Sequence, residues 1–256
     1  MKNIRVFLAD WQILFREGIH FILSGEEDFE VIGETTGNEE VLDLIEKNPP
    51  TLAIINANGN KPSGIEITRR IKHNLPSVAV ILIRDNDDDE EQGFAAIKSG
   101  ANACLTKNMT PEELIDIARK TSADDYPISR MLLKPAIASR TLIDFEFFAS
   151  IGGEVNELMS HLLPGELELL KYIADGSPLQ EAKVPNAGEE SVLPKLNLIR
   201  QKLVKNDRNR EVIEAAQSTL AFGIHRPGIP SPDYITRDEF NAFKESLMER
   251  FKSLIG

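Results

Sequence analysis

A single cysteine, Cys104, stands in the 256 residues of this chain. No disulfide framework can form, and a reducing, cytoplasmic setting fits. The four histidines, His20, His73, His161 and His225, are scattered without zinc-ligand spacing. No apolar run approaches the roughly 20 residues that a membrane helix needs. The opening Met1–Leu8 is too short and too strand-like for a signal peptide. No nucleophile–base pair, phosphate-cradling glycine motif or metal cluster appears, so neither an enzyme nor a cofactor is indicated. Basic residues are outnumbered 29 to 41, for a net charge of −12. That balance argues against polyanion binding by the whole chain but permits a local basic face.

What is present is ordinary for a globular protein: 41% apolar and 27% charged residues, in a length suited to about two domains. The first half is organised around Thr51–Asn58. There an apolar run, Leu52–Ile55, stops abruptly at Asn56. Such a run reads as a strand covered on both faces. Its polar terminus falls at the carboxyl end of a strand, where open α/β sheets place their sites. Strand patterns over Ile4–Leu8, Phe29–Ile32, Leu52–Ile55, Val78–Ile83 and Ala103–Leu105 alternate with helix patterns. The helices are predicted at Gln12–Leu23, Asn38–Glu46 (Asn38 as cap), Gly64–Lys72, Glu90–Lys98 and from Pro111 onward. Five βα units of this length predict a parallel sheet with right-handed crossovers and helices on both faces.

Ala9–Gly18, Gly64–Ile71 and Gly100–Lys107 resemble response-regulator receiver domains of the NarL/FixJ type, and the resemblance spans the whole domain. It implies a flavodoxin-like, five-stranded receiver over residues 1–121. It also implies a pocket that binds Mg²⁺ through an acidic pair and phosphorylates an aspartate. Here the pair is Asp10 and Trp11, and the phosphoacceptor position holds Asn56. The family's Ser/Thr after the fourth strand aligns with Ile83, and its aromatic switch with Cys104; Lys107 is as the family has it. One carboxylate does not assemble a carboxylate Mg²⁺ site, and an amide is no nucleophile for aspartyl phosphate. These departures predict a pseudo-receiver that is not phosphorylated. Asp10, Asn56 and Lys107 then read either as a preset switch, with Asp10 paired to Lys107, or as a decayed pocket with structural contacts. Trp11 can cap this pocket, gate a small ligand, or pack on the rim. Asp87–Glu91 lacks the ligand alternation and turn glycine of a calcium loop and reads as a solvated helix start. Cys104 reads as an inert buried thiol.

Residues 122–157 form an apolar linker, helical in spacing over Met131–Ile143, with Phe145, Phe147 and Phe148 following. It is predicted to pack on a neighbouring domain or to form a dimer surface, with a hinge at Gly152-Gly153. In residues 158–222, Leu163–Gly176 and Ser191–Leu203 resemble the first and recognition helices of a LuxR-type helix-turn-helix, implying a small all-α DNA-binding domain. Val192, Leu196, Ile199 and Leu203 mark the inward face. Between Ser191 and Arg210 six basic residues face one acid, Asp207, a local net of +5. Lys195, Asn197, Arg200, Lys202 and Lys205 are the candidate DNA contacts. Pro194 stands where the family usually carries a polar contact residue, and a first-turn placement would not break the helix. Residues 223–256 read as a Pro/Gly connector, then a capping box at Thr236–Glu239 and an aromatic stripe of Phe240, Phe243, Leu247, Phe251 and Leu254.

The whole predicts a cytoplasmic, phosphorylation-independent DNA-binding regulator that dimerises to read two half-sites. The alternative is a protein-interaction adaptor, bound to a signalling partner, that no longer touches DNA. Neither reading involves a membrane or a metal.

Overall fold

Each of the five apolar runs becomes a parallel strand because both faces of the sheet are covered, so both sides of every central strand can be apolar. The strands are β1 (Ile4–Ala9), β2 (Phe29–Thr35), β3 (Leu52–Asn56), β4 (Ala79–Arg84) and β5 (Ala103–Thr106). They lie in the order β2-β1-β3-β4-β5, the flavodoxin-like arrangement. The computed structural model describes residues 3–59, 62–86, 89–150, 159–178 and 189–223. Strand β2 runs past the expected Ile32 to Thr35, because its later residues stay paired with β1 up to Ala9–Thr35. As an edge strand it is only half-buried from Val31 to Glu34, and Gly33 and Glu34 do not read as part of an apolar run.

The helices are α1 (Ile13–Ser24), α2 (Val41–Lys47), α3 (Gly64–Asn74), α4 (Glu90–Lys98), α5 (Pro111–Ser122), α6 (Pro135–Ser150), α7 (Pro164–Ala174) and α8 (Glu189–Gly223). Local side-chain chemistry sets three of these starts. Ser63 and Glu66 close a capping box on α3, with Ser63 N–H donating to Glu66 Oε2 at 2.7 Å. Thr110 accepts from the Glu113 N–H at the start of α5, where Pro111 has no N–H to satisfy. Asp89 does the same for α4, so that end of the acidic run is a helix cap. Asn38 opens a short 3-10 turn, and α2 begins three residues later than expected.

Two elements differ more. The linker is not one helix from Met131: a 3-10 segment (Pro127–Leu133) precedes α6. The break falls at Lys134, which is extended, as a residue before proline prefers to be. Helix α8 spans 35 residues, well past Leu203, and Pro194 lies beyond its first turn. That corrects the first-turn placement; the helix tolerates the loss of one N–H bond there. Helix α7 ends normally, at Gly176, whose φ of +70° favours glycine.

Met1–Val204 forms one compact unit, and Lys205–Gly256 is divided from it. Within the first unit two apolar layers sandwich the sheet. One sets Val6, Leu8, Ile54, Ile81 and Ile83 against Ile19 and Leu23 of α1 and Leu114 of α5. The other sets Phe7, Ile55, Val80 and Leu82 against α2, α3 and α4. This second layer continues through Leu132, Ile137 and Phe145 of the linker to Leu169, Leu170 and Ile173 of α7 and Val192, Leu196, Ile199 and Leu203 of α8. The linker thus packs, as its composition predicts, and Lys98 of α4 is paired with Asp144 of α6 at 3.0 Å. Each fully buried Leu or Ile in these layers contributes about 1.5–3 kcal/mol by leaving water. Among the described residues no helix is long and apolar enough to cross a membrane. The predicted Gly152-Gly153 hinge and the stripe from Phe240 to Leu254 lie outside the described residues.

Candidate functional site

Alternation along the strands puts Asp10, Asn56, Ile83 and Lys107 on one face at the carboxyl edge. Asp10 and Lys107 directly follow β1 and β5, and Asn56 is the register partner of Ile83. Asp10 is buried, and both its carboxylate oxygens are occupied. Oδ1 accepts from the Gln12 N–H at 2.8 Å, and Oδ2 accepts from Asn56 Nδ2 at 2.9 Å. Asn56 is 1% exposed and uses its other end as well, its Oδ1 accepting from the Asn58 N–H at 2.9 Å. An aspartate at position 56 would present an oxygen to Asp10 where the amide presents a donor. The asparagine therefore neutralises the contact that a second carboxylate would make repulsive.

Lys107 turns away from Asp10. It donates to Asp85, just past β4, and lies under the rings of Trp11 and Phe15, 5.7 and 5.6 Å from their centroids. The expected Asp10–Lys107 pair is thus corrected: each of the two has a nearer partner. Lys107, foremost, holds the Asp85 carboxyl below its ordinary pKa, and a hydrogen bond from Asn58 Nδ2 at 2.5 Å adds to this. Asn58 Oδ1 in turn accepts from Gln92 of α4. A continuous polar chain therefore crosses the edge from Gln12 through Asp10, Asn56, Asn58 and Asp85 to Lys107. Asp85 and Asn58 were not singled out in the sequence. Their signal is position alone, since Asp85 directly follows β4 and Asn58 lies two residues past β3.

Trp11 is half-exposed and packs over Lys107, which fits the rim reading. Ile83 is buried in the layer under α1 and α5 and offers no hydroxyl. Cys104 is half-buried rather than fully buried, and its Sγ accepts from Arg84 Nε at 3.1 Å. Arg84 is 2% exposed and also donates to the Asp89 carbonyl at 2.9 Å. A lone arginine closing the run Val78–Ile83 was the available clue to that contact. A Mg²⁺ ion, which this fold family implies, does not fit the edge. The second carboxylate is Trp11, and the amide of Asn56 aims its N–H group, not its oxygen, at Asp10. Among the described residues no group of three or more acidic, histidine or cysteine side chains could hold a metal.

The basic candidates on α8 have a different fate. Arg200 is 4% exposed, its guanidinium stacked 3.8 Å from the centre of the Tyr126 ring. Burial pulls its pKa down from the ordinary value. Asn197 Oδ1 accepts from Ser129 Oγ at 2.6 Å. Lys202 Nζ donates at 2.6 Å to Glu166 Oε2, on a carboxylate that is 3% exposed. Lys195 is half-buried beside Gly165. Lys205 is exposed. Of the five candidate DNA contacts, Asn197, Arg200 and Lys202 are thus engaged within the protein, because the side of α8 that carries them is packed against the linker and α7.

Comparison with known proteins places this geometry. The response regulator receiver domain family matches residues 6–119. The chain is 30% identical over 219 residues to the uncharacterized transcriptional regulatory protein YxjL of Bacillus subtilis (strain 168), covering 85% of this chain and 97% of that one. It is 29% identical over 224 residues to the transcriptional regulatory protein DegU of Brevibacillus brevis, covering 85% and 94%. To the response regulator protein VraR of Staphylococcus aureus (strain NCTC 8325 / PS 47) it is 27% identical over 219 residues, covering 85% and 99%.

Proposed function

Because this chain belongs to the response regulators of NarL/FixJ type, a family of regulators rather than enzymes, we propose that it is a DNA-binding transcriptional regulator whose receiver works without phosphorylation. The observation that carries the second half is the amide of Asn56. Its nitrogen donates to Asp10 and its oxygen accepts from Asn58, at the position where the family places its nucleophile. With the pocket closed by its own hydrogen bonds, the input comes from binding or from protein level, not from a phosphoryl group. The DNA-binding half is supported by the relatives' description as transcriptional regulators and by the basic run on α8. We place the protein in the cytoplasm as a homodimer, since such modules read paired half-sites.

Incubation with acetyl phosphate and Mg²⁺ tests the receiver. The intact mass stays unchanged, and a stoichiometric gain of about 80 daltons (one phosphoryl group, from atomic masses) sinks the reading. Duplex binding across a salt series tests the DNA half. Affinity falls steeply with salt, in proportion to the phosphates neutralised. The variant to compare is Lys195→Ala/Lys205→Ala, because Lys202 holds the buried Glu166 and its loss would confound binding with stability.

One observation favours a second reading, a protein-interaction adaptor. Asn197, Arg200 and Lys202 are already partnered within the protein. If a folded protein binds no duplex even at low salt, the adaptor reading replaces the first.

A further inference from the structure

The loop after β3 carries the one Asn-Gly pair of the chain, Asn58-Gly59. Asparagine is a chemically labile residue. Its side-chain carbonyl carbon lies within reach of the next residue's backbone nitrogen, and a following glycine leaves that nitrogen least hindered. Gly59 is exposed, with a φ of +146° that favours glycine. Asn58 is half-buried and held at both ends of its amide. Its Nδ2 donates to Asp85 Oδ2 at 2.5 Å, and its Oδ1 accepts from Gln92 Nε2. Gln92 is itself anchored, since its backbone N–H donates to Asp89 Oδ1 at 2.8 Å. The Asp89 carbonyl is in turn held by the buried Arg84 at 2.9 Å. Attack on Asn58 Cγ drives negative charge onto Oδ1, the atom that Gln92 already holds. A donor fixed in place before the charge develops stabilises the transition state. Asn56 makes the contrast: it is buried and followed by Ala57, not glycine.

We infer that Asn58 is a self-modifying site, at which the Gly59 nitrogen closes on Asn58 Cγ while the Gln92 amide stabilises the oxyanion at Oδ1. In the first step the Gly59 N–Cγ bond forms and the Cγ–Nδ2 bond breaks. Ammonia leaves, carrying the proton of the Gly59 N–H. In the second step water opens the resulting succinimide to aspartate or isoaspartate. One water is consumed and one ammonia released, with no oxidant or reductant. The product sets a carboxylate at position 58 against Asp85, which Lys107 keeps ionised. Like charges there repel, so the polar chain between Asn56 and Lys107 opens at its middle. The carboxyl edge thereby changes with the age of the molecule and needs no phosphoryl donor.

The test incubates the full-length protein in neutral buffer at physiological temperature. Conversion is followed in the proteolytic peptide spanning Asn58, by mass and by enzymatic methylation of isoaspartate. The urea-unfolded chain gives the unassisted rate. Folded wild type converts faster than the unfolded chain. Gln92→Leu, which removes the oxyanion donor, slows the folded protein about tenfold or more and leaves the unfolded rate unchanged. Gly59→Ala slows both, because a Cβ crowds the attacking nitrogen. Asn58→Asp, the aspartate product made directly, quickens hydrogen exchange at the start of α4. An Asn58 that stays intact while the unfolded chain converts overturns the inference, since the two hydrogen bonds then protect the amide. Conversion indifferent to Gln92→Leu overturns it as well.

Discussion

The carboxyl edge of the sheet and the first half of α8 depart from their family in opposite ways. At the edge the geometry persists and the chemistry has changed. Asp10, Asn56, Ile83 and Lys107 occupy the pocket's positions, yet an amide stands where a nucleophile is needed and an indole where a second carboxylate is needed. Along α8 the residue types persist and geometry has withdrawn them. Asn197, Arg200 and Lys202 suit DNA by chemistry, but each is bound to Ser129, Tyr126 or Glu166. The contrast teaches that residue identity decides what a preformed pocket can catalyse, while packing decides whether a binding residue is on offer.

The contrast breaks most readily at Lys202. Replacing it with methionine strands the buried Glu166 carboxylate and costs about 3 kcal/mol in urea unfolding. A loss under about 0.5 kcal/mol would mean that Lys202 is free after all. Next comes Asn56→Asp, which sets two carboxylates in contact and costs about 2 kcal/mol at pH 7. The mutual repulsion raises the pKa of one carboxyl in the folded state. The penalty is therefore full above that raised value and shrinks as pH falls through it, which unfolding at pH 7 and pH 4.5 measures. Arg200→Ala removes the stack on Tyr126 and costs about 1–2 kcal/mol, while duplex affinity does not fall, if Arg200 is spoken for within the protein. A fall comparable to that of Lys195→Ala/Lys205→Ala would return Arg200 to the DNA face.

The smallest effect sharpens the comparison by pH. Burial, and next the charge of Arg200, pull the Lys72 pKa from 10.5 down to about 8. The folded protein thus gives up this proton before the unfolded chain does. Stability gained from this group rises as pH climbs from about 8 to about 10.5 and is absent below. Lys72→Met flattens that rise, and Arg200→Gln moves its start to higher pH. Unfolding midpoints between pH 7 and pH 10 report both.

Much of this was legible in advance. Five apolar runs with helix patterns between them were enough for the receiver, because a sheet covered on both faces writes itself as runs of Val, Ile and Leu. The helix α4 was placed to the residue, and the inward face of α8 was right at Val192, Leu196, Ile199 and Leu203. Trp11 beside Asp10 and the amide of Asn56 at the end of the third strand were readable directly, because identity there is the message. The partner of Lys107 was not visible, since Asp10 and Asp85 are equally plausible until the loop after β4 is in place. Arg84 stood out as a lone arginine closing an apolar run, but its partner Cys104 did not, since a contact between two strands is not encoded locally.

The sequence by itself determined the order of elements, the parallel sheet and the amide at the end of β3, since each follows from periodicity or from one side chain's identity. Only the tertiary structure decided which ion pairs form, which basic residues of α8 are occupied and that Leu14 and Phe21 of α1 stay bare. A helix pattern marks an apolar face but not what covers it, because coverage depends on elements far away in the chain.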